Sequence, residues 1–403
     1  MSIRKSKLAL AVGSAIALPT SAFATNGILQ VGNGMVAHGM GGAGLANASE
    51  ASSGMDNPAL INQTGDSASL GWSIFMPKRS YNSSGLPGGH NVSSDSPMFA
   101  IPQGAFTAKF NDNLSWGIMA YAMGGMNTDY STGPFPNNPQ APYDSNPQSV
   151  NLEGLIVAPT VSYAFSNNLS AGVSVIVAKE TFTVRNLFGQ GPGGTFEGNA
   201  TGYGAKLGVD YKITNGIAVA ATVQPKLSMG EIGAFKNFLG NFHFTGNAQL
   251  TVPDEYGIGG KFAVGQNVDV VADLMYYAWN GVDVYKFFGW KSEPVLKIGA
   301  EFRPTDKWAL RAGIDYGKSP IQGGNSAANG TMDAAYANYS FPAISEGHIT
   351  IGAGYKLDKN MTVNGYYLYA PKVTETAAAT SSTPGFKVSM SQNAAGLDMN
   401  YAF

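Results

Sequence analysis

The chain has 403 residues, 52 of them glycine and none cysteine, with 12% charged side chains against 44% apolar ones. Soluble globular proteins average about 7% glycine and about 25% charge, so this composition excludes disulfide scaffolds and cysteine-ligated metals and suggests apolar surface facing something other than water. The formal net charge of -2 provides no basic footprint for nucleic acid.

Residues 1–24 read as an export signal. Arg4, Lys5 and Lys7 precede an apolar run from Leu8 to Leu18, and Ala22-Phe23-Ala24 forms an A-x-A cleavage site. The run is shorter than the roughly 20 residues of a helical membrane span, so the mature chain is expected to start at Thr25. Residues 25–66 are nearly uncharged and carry Gly32, Gly34, Gly39, Gly41, Gly42 and Gly44 among Ala, Asn and Ser. The spacing of Gly39, Gly41 and Gly44 matches G-x-G-x-x-G, but it lies between no predicted strand and no βαβ unit, so no dinucleotide site is expected. A segment this apolar is expected to fold as a plug, or hatch, inside the larger C-terminal part of the chain.

From residue 67 onward the chain alternates between apolar and polar or small residues. No stretch after residue 24 offers 18 consecutive apolar residues, which leaves a closed barrel of strands as the way to satisfy every backbone group in hydrocarbon. In 346–357, Ile349, Ile351, Ala353, Tyr355 and Leu357 share one face while His348, Thr350, Gly352, Gly354 and Lys356 share the other. The same two-residue period sets Leu296, Ile298, Ala300 and Phe302 against Lys297, Gly299, Glu301 and Arg303. Fourteen strands are predicted, at 67–78, 103–110, 114–123, 152–165, 169–184, 201–213, 216–229, 246–264, 268–280, 293–303, 307–317, 346–357, 361–371 and 387–403. A soluble sheet with one wet face also alternates. The connections weigh against it, because six very short ones, such as Asn111-Asp112-Asn113 and Asp358-Lys359-Asn360, take turns with long polar ones, the pattern of outer-membrane barrels. Phe110, Trp116, Phe165, Tyr211, Phe262, Phe302, Trp308 and Tyr355 collect beside the short turns as an interfacial girdle, and the last strand alternates to a terminal Phe403.

Two long connections are apolar. Phe235, Phe238, Leu239 and Phe242 fall at i, i+3, i+4 and i+7 of a short amphipathic helix within 231–242, and Tyr285, Phe287, Phe288 and Trp290 cluster in the next. Either these loops pack on one another over the barrel mouth, or they form a landing site for hydrophobic molecules.

Several short motifs in this order resemble the long-chain fatty acid transporter (FadL) family of outer-membrane channels, which also includes aromatic-hydrocarbon uptake proteins. They are Asp56-Asn57-Pro58-Ala59-Leu60, Pro253-Asp254-Glu255-Tyr256-Gly257, Pro304-Thr305-Asp306-Lys307-Trp308, Ile351-Gly352-Ala353-Gly354-Tyr355 and the final Asn400-Tyr401-Ala402-Phe403. The resemblance spans essentially the whole mature chain. It implies an all-β, transmembrane, antiparallel 14-stranded barrel over 67–403, plugged by a hatch over 25–66 that carries the motif Asn57, Pro58, Ala59. It further implies an outer groove between loops, an inner pocket for the apolar ligand, and a lateral opening where the third strand kinks. The residues similar to that kink include Tyr121, Met123, Gly124 and Gly125. Paired glycines break a ladder, although they would equally end the strand. The family often places an aromatic near the mature N-terminus, where this chain has Gly27-Ile28-Leu29-Gln30.

The expected function is passive, ligand-gated uptake of hydrophobic compounds across the bacterial outer membrane, with long-chain fatty acids first and aromatic hydrocarbons as the alternative. The candidate capture residues are Phe235, Phe238, Leu239 and Phe242. Lys297, Arg311 and Lys356 are the lumenal candidates for an anionic headgroup, unless they pair with Glu301, Asp315 and other inward carboxylates. No cofactor, metal or nucleic acid is expected, and the partners are the ligand, outer-membrane lipid and lipopolysaccharide, around a monomer. A general diffusion porin would need an open, charged constriction, which an uncharged plug opposes. With four histidines, of which only His348 lies on a predicted strand, no triad or metal spacing supports a lipase. An adhesin or structural role stays open.

Overall fold

A computed structural model describes residues 26–83, 91–133, 146–187, 191–327, 330, 333–378 and 385–403. The predicted export signal, 1–24, and Thr25 lie outside the described residues. Among those described, fourteen strands form one closed antiparallel ring: β1 (Ser67–Asn82), β2 (Phe99–Lys109), β3 (Leu114–Tyr130), β4 (Gln148–Ala164), β5 (Leu169–Arg185), β6 (Phe196–Thr214), β7 (Ile217–Gln224), β8 (Glu255–Val264), β9 (Val268–Tyr277), β10 (Glu293–Phe302), β11 (Trp308–Gly317), β12 (Gly347–Lys356), β13 (Met361–Ala377) and β14 (Phe386–Ala402). β14 closes on β1 over its full length, from Ser67 opposite Ala402 to Asn82 opposite Lys387. Two short strands, Asn91–Ser93 and Ser228–Met229, add to the ring at β1 and β6.

The two-residue period sets which side chains face lipid. Ile349, Ile351, Leu296, Ile298, Leu310 and Ile314 are exposed on the outer wall, while His348, Thr350, Lys297, Arg311 and Asp315 on the same strands are buried within. The aromatics beside the short turns stand exposed at one rim, except Trp116 and Tyr355, which are half-buried. Tyr203, Tyr256, Tyr276, Tyr316 and Tyr369 make the facing rim at the long-loop end. Two aromatic rims bounding an apolar band match the two interfaces of a bilayer.

The strands Ser67–Asn82, Phe99–Lys109, Gln148–Ala164 and Phe196–Thr214 run four or five residues past their predicted long-loop ends, and four further bounds are corrected for a local reason. Pro225 and Pro253 lack the N–H a ladder needs, so β7 stops at Gln224 and β8 begins at Glu255. The alternation of Ala248, Leu250 and Val252 before Pro253 belongs to a buried loop. β13 runs on to Ala377 past a register shift between Ala370 and Val373, and β3 runs through its paired glycines to Tyr130.

Residues 26–66 lie inside the ring. The helix Met35–Gly39 packs on β11, β12, β13 and β14, and its exit is tied by Gly41 N–H donating to Thr350 Oγ1 at 2.8 Å and by Gly44 and Leu45 N–H donating to Asp273 Oδ2 at 2.7 and 3.1 Å. Backbone approaches backbone so closely here that a Cβ on Gly313 would lie 2.1 Å from the carbonyl carbon of Met40. Glycine is therefore required in the wall. Asn57 is fully buried, with its amide donating to the carbonyls of Leu45 (2.8 Å) and Val209 (3.2 Å) and its oxygen accepting from Ala59 N–H (3.0 Å). The side-chain acceptor and Pro58 at the first position start the short 3-10 turn Pro58–Leu60. The motif thus pins the hatch against β5 and β6, where Gly172 and Gly208 leave room for Pro58 and Asn57.

Candidate functional site

At the long-loop end, the helix Gly233–Gly240 forms where the apolar stripe predicted it, but with its stripe inward. Phe235, Phe238 and Leu239 are buried. Phe235 meets Phe182 at 5.0 Å, and Phe238 lies 5.8 Å from Phe196 and 5.4 Å from Phe242. The first three are therefore the core of the loop cap and not an exposed landing site, because one apolar stripe on a short helix finds the aromatics of β5 and β6 before it finds solvent. Phe242 is half-buried and lines an open surface groove of about 340 Å³ with Phe244 and Phe287, next to Lys286 and Asp283. The second apolar loop folds inward as well, with Tyr285 stacked on Trp290 at 4.5 Å and both edge-on to Trp279.

Beneath this cap lies a cavity of about 60 Å³, enough for a polar head. The arm Leu29–Asn33 of the hatch, Tyr121 and Met123 of β3, and the polar residues Lys206, Glu255, Tyr277 and Lys297 line it. Lys297 Nζ donates to the Val31 carbonyl at 2.6 Å and to the Tyr277 hydroxyl at 3.3 Å. Among the described residues no carboxylate forms an ion pair with it. Lys206, by contrast, faces Glu255 at 3.8 Å and donates to the Met55 carbonyl at 3.3 Å. Asp56 and Asp273 line the same cavity; burial holds the Asp56 carboxyl up to about 6, although it accepts from the Asn33 amide at 2.9 Å.

The wall beside this cavity is incomplete. β2 pairs with β3 only from Gly104 opposite Ala120 to Lys109 opposite Ser115, so β3 from Tyr121 to Thr128 has a ladder partner on the β4 side alone until Ser94 and Asp95 meet Tyr130 and Asp129, while Phe99–Gln103 stays with β1. The β3–β4 register shifts between Ala122 and Gly124, and Gly124 adopts a φ of +134°. Tyr121, Met123, Gly124 and Gly125 therefore sit in a bulge that carries β3 away from β2. The hatch arm stands in the break: Gly125 N–H donates to the Ile28 carbonyl at 3.0 Å, and a Cβ on Gly124 would lie 2.4 Å from that oxygen. Arg79 staples the far end, donating to Ser94, Ser96 and Asn127 at 2.7 to 3.2 Å.

The other two cation candidates lie elsewhere. Arg311 donates to Glu301 Oε2 at 2.7 Å and to Asn364 Oδ1 at 3.0 Å, the end of a charge relay in which Arg303 bridges Glu301 and Asp269, and Lys261 meets Asp269 at 3.1 Å. Lys356 is exposed on the rim of the same polar vestibule of about 470 Å³, at the short-turn end. Arg311 and Lys356 thus belong to the floor under the hatch, apart from Lys297. Inward phase alone placed all three in the lumen but did not give their height in it. His348 bridges Asp315 and Gln392 as part of the wall.

The model of the outer membrane protein transport protein family (OMPP1/FadL/TodX) matches residues 11–403. This chain belongs to that family. Its FadL-type relatives include the long-chain fatty acid transport protein of Shigella flexneri, 22% identical over 424 residues that cover 89% of this chain and 93% of that one. Among solved structures, the Pseudomonas putida toluene transporter TodX superposes with a TM-score of 0.69 at 17% identity, covering 93% of this chain and 99% of its own. The Ralstonia pickettii toluene transporter TbuX (TM-score 0.67, 19% identity, 93% and 99% covered) and a Pseudomonas aeruginosa FadL homologue (0.67, 14%, 96% and 100%) share the fold too. The family and the ring of strands are those of outer-membrane transport channels for hydrophobic compounds.

Sequence reasoning missed two lumenal groups, the Lys206–Glu255 pair and Glu180. Glu180 had a readable signal. It is the one carboxyl in an inward row of β5 whose other members are Ile176, Ala178, Phe182 and Val184.

Proposed function

We propose that this FadL-family channel passes single-headed amphiphiles passively into the membrane, with long-chain fatty acids as its principal cargo. The observation that carries this reading is Lys297, a buried ammonium facing the inner cavity that makes hydrogen bonds to two neutral acceptors and no direct ion pair among the described residues, with Asp56 and Asp273 on the same cavity wall. A carboxylate head that reaches Lys297 makes the direct pair that these more distant carboxylates do not. Capture begins in the groove of Phe242, Phe244 and Phe287, where each buried CH₂ contributes about 0.8 kcal/mol. The cavity holds a head and not a chain, so admission displaces the hatch arm, and the chain leaves sideways between β2 and β3, where no ladder must be broken. The exported mature chain, freed of residues 1–24, acts as a monomer among outer-membrane lipid and lipopolysaccharide.

Uptake of labelled oleate and labelled toluene by cells with and without the protein tests this. Oleate uptake is expected to fall on deletion. Loss of toluene uptake alone would reassign the cargo to aromatic hydrocarbons, and no change in either would sink the reading.

A further inference from the structure

One inward side chain is used by none of these contacts. Glu180 is 1% exposed, and neither of its carboxylate oxygens has a hydrogen-bond partner among the described residues. Its ladder neighbours are Gly154 on β4 and Ala200 on β6, and its inward neighbours along β5 are Ala178 and Phe182, so the wall around it offers no side-chain donor. The hydroxyl of Tyr285, in the cap, is equally buried and also without a partner, and it lies within electrostatic reach of Glu180. On the other side, Met123 of the β3 bulge covers Gly154, where a Cβ would lie 2.7 Å from the Met123 methyl. Met123 also lines the inner cavity. Glu180 thus lies between Tyr285 of the aromatic cap and the β3 bulge, whose Met123 lines the cavity.

A buried carboxyl without a partner destabilises the fold, and such exceptions need a reason. Packing supplies none, since an apolar side chain of the same length would fill the same space beside Gly154, Ala178, Phe182 and Ala200.

We propose that Glu180, with the Tyr285 hydroxyl, recognises a hydrogen-bond donor on the cargo: the hydroxyl of a long-chain alcohol, or the O–H of an un-ionised carboxylic acid. A Glu180 carboxyl oxygen accepts the cargo O–H, and the Tyr285 hydroxyl donates to the cargo oxygen. An ester offers no donor and leaves that acceptor unmet. The channel then reads its cargo twice, as a donor at Glu180 and as an acceptor at Lys297, and a fatty acid arriving protonated satisfies both. This assignment rests on the reading that the channel carries single-headed amphiphiles.

The test is binding of oleyl alcohol and methyl oleate, which share one chain, to the purified full-length barrel and to its Glu180→Met variant, with thermal midpoints alongside. The parent is expected to bind the alcohol about tenfold more tightly than the ester, as one additional buried hydrogen bond allows. Glu180→Met is expected to bind both alike, near the ester's affinity, and to melt at a higher temperature. A parent without preference, a parent that binds neither, or a variant that keeps the preference overturns the site, while the transport reading stands or falls separately on oleate uptake. Should Glu180→Met not fold, Tyr285→Phe keeps the stack on Trp290 and removes only the hydroxyl. It is expected to reduce the preference severalfold, and an unchanged preference overturns the site.

Discussion

The body of the hatch and its N-terminal arm are held to the barrel by different means. Between Met35 and Leu60 the chain is locked by close backbone contact on Gly313 and by hydrogen bonds at Asn57, Asp273 and Thr350. The arm, Asn26 to Val31, spans the bore from Asp315 on β11, through the Val31 carbonyl on Lys297, to Gly125 on β3. Its last support is a stretch of wall that lacks a ladder partner on one side. Close backbone contact and several hydrogen bonds tie the body to the wall, whereas the arm, equally buried through Ile28, Leu29 and Val31, meets the break in the wall through one backbone hydrogen bond from Gly125. The contrast predicts a plug that opens at one edge without leaving the bore.

The strongest way to break this contrast is to attack the body. Gly313→Leu puts a side chain where the Met40 backbone already lies, and overpacking of this kind costs about 1–3 kcal/mol or more. The hatch is expected to be expelled as a unit, giving a barrel that conducts ions in planar bilayers where the parent is closed; a closed variant would show the body to be as adaptable as the arm. Gly124→Val attacks the arm's support instead. A β-branched residue at a φ of +134° is strained by about 1–3 kcal/mol and pushes the Ile28 carbonyl away. Uptake is expected to fall about tenfold while the bore stays closed to ions, and a leak would show that arm and body move together.

The smallest effect sharpens the comparison within the hatch. Burial lowers the imidazole of His38 to about 4, while it stacks on Tyr366 at 4.5 Å and donates from Nδ1 to the Gly34 carbonyl. Because its folded value lies below its ordinary 6.5, it costs stability as pH falls from 6.5 towards 4. Asp56, raised to about 6 from 3.8, has the opposite sign and costs stability as pH rises through that same window. Each is worth up to about 3 kcal/mol, and between pH 4 and 6 the two offset one another. Relative to the parent, His38→Phe is expected to gain hatch protection against protease at pH 4, and Asp56→Asn at pH 7. Parallel pH profiles in all three chains would remove the offset.

Much of the architecture was legible in the chain itself, for a physical reason. Where one face of a strand meets lipid and the other a polar bore, the side chains must alternate, so Ile349, Ile351 and their inward neighbours declare the wall without any alignment. Short turns, aromatic rims and the terminal Phe403 carry the same local information, and the motif Asn57, Pro58, Ala59 marked where the hatch ends. Proline explains the misplaced ends of β7 and β8, because its missing N–H overrides an alternation that otherwise reads as strand.

Period and spacing determine the phase of a residue, and here they determined a 14-stranded transmembrane ring with an uncharged plug. They carry no information on height in the bore or on which inward groups meet across it, since those depend on contacts between segments hundreds of residues apart. Only the tertiary structure separated Lys297, at the inner cavity, from Arg311 and Lys356 on the floor, and turned the stripe of Phe235, Phe238 and Leu239 inward. It also showed that the glycines of β3 bend the strand where the arm of the hatch takes the place of the missing ladder.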